Sequence, residues 1–336
     1  MNRKQLVSLL AGALLLGTSV PAYAQTTLTE AVPNPSAITF GALYVAKGEG
    51  YFAEEGLEIE IQVVDGSPAA MQAVSAGQAE VGFPGAGVFL NAIARDVDAV
   101  FIYNLYPRSL FGLLVEEGDG ISDVTDLEGG VIGVASSDGA EVAFARSILA
   151  SSGMTEGENY EFLSVGDGGT AAVAFTRGDI DAYAGPLADA AILSARGITL
   201  SEITPPEFMS FFGVGGVAMR DYVDANPEVI EGFGRALVRG AEFMSNPANQ
   251  DAIFAHTEAG NPSEVEDRDY AAALLARVVD RMQPLEADVH AGRGYQPLSG
   301  WQGWHQSMID SGELAAPIED LESVFTNQFV ETWNAQ

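Results

Sequence analysis

The spacing of apolar and polar positions changes period again and again along this chain, and each change marks a boundary between a helix and a strand. Residues 39–61, TFGALYVAKGEGYFAEEGLEIEI, give the clearest case. Leu43, Tyr44, Ala46 and Lys47 fit a short amphipathic helix, which Gly48 and Gly50 end. Tyr51 and Phe52 follow as an apolar plug, and Gly56 supplies a turn. Leu57, Ile59 and Ile61 then alternate with Glu58, Glu60 and Gln62, as a half-buried strand requires. Before this unit, Thr27–Val32 predicts a first strand that stops at Pro33, Asn34 and Pro35. After it, Asp65, Gly66 and Ser67 turn into a helix that Ser67 caps and Gly77 stops. Ala79–Phe83 is a third strand, Pro84–Gly87 opens onto a helix from Val88 to Arg95, and Ala99–Tyr103 is a fourth strand.

A second pass of the same pattern begins beyond Tyr106, Pro107 and Arg108. It predicts strands at Phe111–Val115, Val131–Val134, Phe162–Val165 and Ile180–Tyr183, with helices at Ala140–Leu149 and Thr170–Arg177. The two passes echo each other. AVSAGQAEVGFPGAG from Ala73 aligns with AFTRGDIDAYAGPLA from Ala174, which sets Gly77 beside Gly178, Glu80 beside Asp181 and Gly85 beside Pro186. The Gly-rich segment Phe211–Met219 is expected to return beside Phe111–Val115, so that two adjacent strands form a hinge. From Pro227 onward the spacing is helical, and these late helices are expected to pack on the first lobe.

Strands alternating with helices predict an α/β architecture with mostly parallel sheets covered on both faces. Two passes divide it into two lobes: residues 25–107 with 217–336, and residues 108–216, with hinge strands near 103–115 and 211–219. In such sheets ligands sit beyond the carboxyl ends of the strands. That rule selects Asn34, Ser67 and the Pro84–Gly87 turn with its Gly85 as contacts, and the echo adds Pro186 at the matching edge of the second lobe. Ser136, Ser137 and Gly139 stand between a strand and a helix, where free amides face a ligand. Phe40, Tyr44, Tyr103, Tyr106 and Phe211 supply rings near the strand ends and crossings, able to stack on or wall a planar solute.

Residues 1–24 have the parts of a secretory signal peptide: Arg3 and Lys4, an apolar run from Leu6 to Leu16, and an Ala22-Tyr23-Ala24 cleavage site. Its removal leaves about 312 of the 336 residues, enough for two cores, and predicts a chain free in the periplasm without membrane insertion. The leader carries two of the 15 basic residues and no acid, so 13 bases face 47 acids and the mature formal charge is −34. Such a surface repels nucleic acid and anionic lipid. With no cysteine, the chain forms no disulfide or thiolate metal site and takes no lipid on an N-terminal Cys.

The segment ALYVAKGEGYFAEEGLEIEI resembles the opening signature of the NMT1/THI5-like and SsuA-like group, the periplasmic solute-binding proteins of nitrate, sulfonate, taurine and thiamine-precursor importers. The likeness runs down almost the whole mature chain. It implies a type II, Venus-flytrap fold with a two-strand hinge. It also implies a monomer that captures a small solute and hands it to an inner-membrane ABC permease and its ATPase, with no cofactor, metal or catalytic residue. Pro33 and Asn34 resemble the Pro-Asn step of pyrimidine-precursor binders, although the spacing to Leu43 is longer and the usual His is absent. A planar heterocycle such as a thiamine-pyrimidine-like precursor is the favoured ligand, and an alkylsulfonate, taurine or other small oxyanion is the alternative. Arg108 bears on that choice, because a buried guanidinium would pair a sulfonate.

An enzyme or a sensor subunit is the reading of another class. Fungal pyrimidine synthases on this fold place a lysine and a histidine where this chain has Pro84 and Val88. The three histidines, His256, His290 and His305, lack metal-ligand spacing, no nucleophile elbow is present, and the Gly166–Gly169 and Gly213–Gly216 clusters fail the dinucleotide fingerprint.

Overall fold

A computed structural model describes residues 25–137, 140–166, 168–310, 312–314 and 316–335; the signal-peptide segment 1–24 lies outside the described residues. Ten strands form two five-stranded sheets. The first holds β1 (Thr26–Val32), β2 (Leu57–Val63), β3 (Val81–Gly82), β4 (Ala99–Asn104) and β10 (Gly215–Met219), in the order β2-β1-β3-β10-β4. The second holds β5 (Phe111–Glu116), β6 (Gly130–Val134), β7 (Tyr160–Ser164), β8 (Ala182–Pro186) and β9 (Leu200–Glu202), in the order β7-β6-β8-β5-β9. The two edge strands of the first sheet differ in burial, because late segments at Gly294 and Phe325 cover β4. Edge strand β2 starts with the alternation read from its sequence, Leu57 and Ile59 buried and Glu58 and Glu60 exposed, whereas β4 is buried along its whole length.

The predicted pairing of the return segment is corrected. β10 runs antiparallel between β3 and β4, while β5 pairs with β8 and β9. Each strand that follows a crossing is therefore inserted antiparallel into the sheet it enters. The crossings themselves, residues 105–110 and 209–214, meet through the Ser109 amide on the Met209 carbonyl at 3.0 Å and the Gly213 amide on the Tyr106 carbonyl at 2.9 Å.

The internal echo is reproduced atom by atom. Gly77 and Gly178 both take left-handed backbone, at φ 65° and 70°, which only glycine adopts cheaply at a helix end. The next carboxylates act alike: Glu80 accepts the Thr29 amide of β1 at 2.7 Å, and Asp181 accepts the Val131 amide of β6 at 2.8 Å. Gly85 and Pro186 then stand at the N-caps of the helices Ala86–Ile93 and Leu187–Ala195.

Late helices pack mainly on the first lobe, with Pro227–Met244 and Gln250–Glu258 lying on Gly41–Gly48. One departs from expectation. Arg268–Arg281 packs along Leu187–Ala195 of the second lobe, because its apolar stripe of Ala271, Leu274 and Val278 shares a core with Leu187 and Ala191. At its end Arg281 clasps Glu202 of β9 through two hydrogen bonds of 2.6 and 2.7 Å.

Glu30, in the centre of β1, is fully buried, and neither carboxylate oxygen has a hydrogen-bond partner among the described residues. Burial holds its carboxyl well above the usual carboxylate range, against the weaker opposing pull of Lys47. A raised native pKa means that Glu30's contribution is fully present below the unfolded carboxylate pKa and is lost as pH rises through the native one. Glu30→Gln is therefore expected to stabilise the fold increasingly as pH rises toward 8, by ~1.4 kcal/mol for each pH unit crossed between the unfolded and native pKa, with no gain at pH 4. Melting curves of the two proteins from pH 4 to 8 check this, and parallel pH profiles would contradict it.

Candidate functional site

The carboxyl ends of the two sheets face each other across a cleft. Its larger compartment encloses about 1040 Å³ and is lined from the first lobe by the turns after β1 and β2, including Asn34, Ser36 and Ser67. The second lobe supplies Pro186, Asp189 and Ile192, and the late helices add Glu264 and Tyr270. A smaller compartment of about 240 Å³ adjoins it, and the two share Ser67, Leu110, Phe111 and Val214. The small one is walled by Phe111, Phe144 and Phe208 from the second lobe, by Phe211 and Phe212 from the crossing, and by Trp304.

Ser67 sits at the junction. Its Oγ accepts the Gly85 amide at 3.0 Å, and Gly85 in turn bridges Val214 across the crossing, so one hydroxyl ties the β2 turn to the β3 turn. The aromatic wall is held as firmly: the Trp304 indole donates to the Phe212 carbonyl at 3.0 Å, and its ring meets Phe211 edge-on at 5.3 Å. Phe208 and Phe211 lie 5.4 Å apart, and Phe111 and Phe144 5.9 Å. In the same lining the hydroxyls of Ser147 and Ser307 touch at 3.3 Å, joining the lobes.

The larger compartment sets three carboxylates, of Asp189, Glu264 and Asp267, in a mixed polar and apolar lining. Glu264 is buried and accepts the Ser36 hydroxyl at 2.5 Å and the Ile38 amide at 2.8 Å, fixing the loop after β1. Burial raises its pKa, and those hydrogen bonds oppose the rise. Asp189 accepts the Tyr183 hydroxyl at 2.5 Å. The Tyr270 phenol is pushed up to about 12 by burial and by the charges of Glu264 and Asp189. Arg196 is the one cation among the described lining residues of the two compartments.

Five of the residues selected from sequence are brought together here: Asn34, Ser67 and Pro186 in the larger compartment, and Gly85 and Phe211 in the smaller, which Ser67 also lines. Four lie elsewhere. Phe40 is buried edge-on to Phe83, Tyr103 packs on Trp333, and Tyr44 is half-buried on its helix. Tyr106 is fully buried and donates its hydroxyl to the Thr39 carbonyl. The core of the first lobe takes these rings because desolvating a large aromatic is worth more than any cleft contact at the same position.

Ser136 and Ser137 are exposed and line neither compartment, and Gly139 lies outside the described residues. The Ser136 amide faces the chain's own Glu141 carboxylate at 3.4 Å, which places a negative charge where an anion would dock. Arg108 is turned away from the cleft: its guanidinium lies 3.6 Å from Asp280 and reaches the Pro284 carbonyl at 3.5 Å. Sequence reading missed Phe144, Phe208, Trp304, Glu264 and Tyr270. Phe144 carried one usable signal, its place on the helix that opens after the Ser136 turn; Trp304, Glu264 and Tyr270 come from helices whose docking no local pattern encodes.

Three comparisons bear on this geometry. The family model described as NMT1/THI5 like matches residues 37–250. The riboflavin-binding protein RibY of Chloroflexus aurantiacus is 25% identical over 318 residues, covering 92% of this chain and 87% of that protein. A 4-amino-5-hydroxymethyl-2-methylpyrimidine phosphate synthase of Aspergillus parasiticus is 26% identical over 222 residues, covering 61% and 63%. Among solved structures, the periplasmic aliphatic sulphonate binding protein SsuA from Escherichia coli superposes with a TM-score of 0.67 at 16% identity, over 89% of this chain and 91% of that one.

Proposed function

The chain belongs to the NMT1/THI5-like family, and from that premise we propose that it is the periplasmic solute-binding component of an ABC importer, capturing a small planar heterocycle and delivering it to the permease. The observation that carries this reading is the cleft between the carboxyl ends of two sheets that are connected through two crossing segments, with a late helix packed against both lobes. Such a cleft closes by rotation of one lobe against the other, burying its solute, and the closed form differs in shape from the open one at the surface a permease reads. The secretory leader read from residues 1–24 supports export. A riboflavin-binding relative and a pyrimidine-synthase relative both favour a nitrogen heterocycle.

The likeness to a sulphonate binder favours an oxyanion as the second reading. Three features weigh against it: Arg108 is engaged by Asp280, the Ser136 amide faces Glu141, and the cleft is lined by Glu264, Asp189 and Asp267. An enzyme is disfavoured by Pro84 and Val88, which stand where the fungal synthases place a lysine and a histidine.

A thermal-shift screen of residues 25–336 against heterocycles, sulfonates, nitrate and amines tests the proposal. A ligand at 100 times its dissociation constant stabilises by ~2.7 kcal/mol. The expected result is a shift from heterocycles alone. A shift confined to nitrate or sulfonates would sustain the importer and reject the solute class, and no shift from any class would reject both.

A further inference from the structure

We infer that the solute has two parts: a one- or two-ring aromatic body seated in the small compartment, and a neutral or cationic hydrogen-bonding arm passing Ser67 into the larger one. The inference rests on the solute-binding reading and adds to it where each part of the ligand lies and what charge it carries.

The small compartment is shaped for a ring. Its walls come from both lobes, Phe111, Phe144 and Phe208 from the second and Gly85, Val88 and Trp304 from the first, so a flat body inside it touches both halves of the molecule at once. At ~30 Å³ for each water-sized group, its 240 Å³ holds about eight such groups, enough for one substituted ring, a second ring reaching into the junction at Ser67, and wasteful for nitrate. The Trp304 indole N–H is already given to the Phe212 carbonyl, so that ring offers its face and edge rather than a donor. Aromatic faces attract flat heterocycles by stacking and cations by their quadrupole, and they give nothing specific to an oxyanion.

The shared lining at Ser67, Leu110, Phe111 and Val214 makes one continuous site of the two compartments. Beyond that junction polar groups join the apolar lining, with Asn34 and Ser36 on one rim and the carboxylates of Glu264, Asp189 and Asp267 outnumbering the single guanidinium of Arg196. Amine and hydroxyl groups donate to such a surface, whereas a carboxylate or sulfonate arm would meet a net negative charge that Arg196 alone does not balance. Because the ring contacts residues of both lobes, filling the small compartment also favours the closed form.

The test is calorimetric titration of the full mature chain. The probes are pyrimidines, pyridines and quinolines carrying hydroxyl or amine arms, the same rings carrying carboxylate or sulfonate arms, and nitrate and taurine. The expected order places hydroxyl- and amine-bearing rings first. Phe211→Ala, which removes one stacking face, should weaken that binding by about tenfold or more. Ala143→Leu adds bulk to a half-exposed position on the compartment wall and leaves the cores alone, so it should weaken ring binding without lowering the melting temperature. Tighter binding of sulfonate arms or of nitrate would overturn the inference while leaving an importer protein intact. Unchanged ring affinity in both variants would overturn it as well, and a chain that binds none of the probes would take the solute-binding reading down with it.

Discussion

Trp301→Ala is expected to lower the unfolding free energy by about 3–5 kcal/mol, the range for deleting a fully buried tryptophan. Trp301 has no exposed surface, and it is the hub of an aromatic cluster: Phe212 lies 4.7 Å away, Phe101 5.0 Å and Phe89 5.6 Å, with Phe325 stacked at 5.8 Å. These rings come from four distant parts of the chain, so the void left by alanine has no single neighbour able to collapse into it. Its indole N–H lacks a hydrogen-bond partner among the described residues, which makes Trp301→Phe the milder change. Denaturant unfolding followed by circular dichroism separates the two variants. Equal losses from Ala and Phe would mean that ring packing is not what the site provides. The effect reaches the cleft, because Phe212 carries the carbonyl that holds Trp304 in the aromatic wall.

Arg281→Ala should cost about 3 kcal/mol, the low end for breaking a buried ion pair. The Arg281 side chain is only 6% exposed, and its bidentate partner Glu202 is 25% exposed, so removing the guanidinium strands a carboxylate with little water to replace it. Replacing both residues with methionine should be close to neutral, since the pair's attraction mostly offsets its own desolvation. Unfolding measured across the two single variants and the double variant gives the coupling energy. A coupling near zero would mean that the clasp is incidental to how the helix Arg268–Arg281 is held on the second lobe.

Legibility in the sequence followed the range of the force at work. β2 was readable from alternation alone, because one side of an edge strand is wet and the other dry; Glu58 and Glu60 could stand nowhere else. The paired corners at Gly77 and Gly178 were readable because a left-handed residue and a short carboxylate reach recur at fixed spacing. Pairing of β10 was not readable. Gly215–Met219 has no pattern that distinguishes β4 from β5 as its neighbour, and only the direction of the crossing decides. In the cleft, Asn34, Ser67 and Gly85 followed from the rule about strand ends, which needs only the order of elements, and Pro186 followed from the echo. Phe40 and Tyr103 misled for the opposite reason: a ring near a strand end reads the same whether it turns toward the cleft or toward Phe83 and Trp333. Glu264 and Trp304 reach the site from helices hundreds of residues from the first strand, through docking that is a property of the assembled cores.

The insertion of β10 between β3 and β4 also orders events in time. All five strands of the second sheet lie between residues 111 and 202, so that sheet is complete in one uninterrupted stretch of chain. The first sheet has a gap between β3 and edge strand β4 until residues 215–219 arrive, more than a hundred positions after β4. Closing so long a loop is slow, and until it closes the facing edges of β3 and β4 stay open to pairing with other chains. A chain emerging from its N-terminus therefore finishes its second sheet first and seals its first sheet afterwards, on the strand that returns from the hinge.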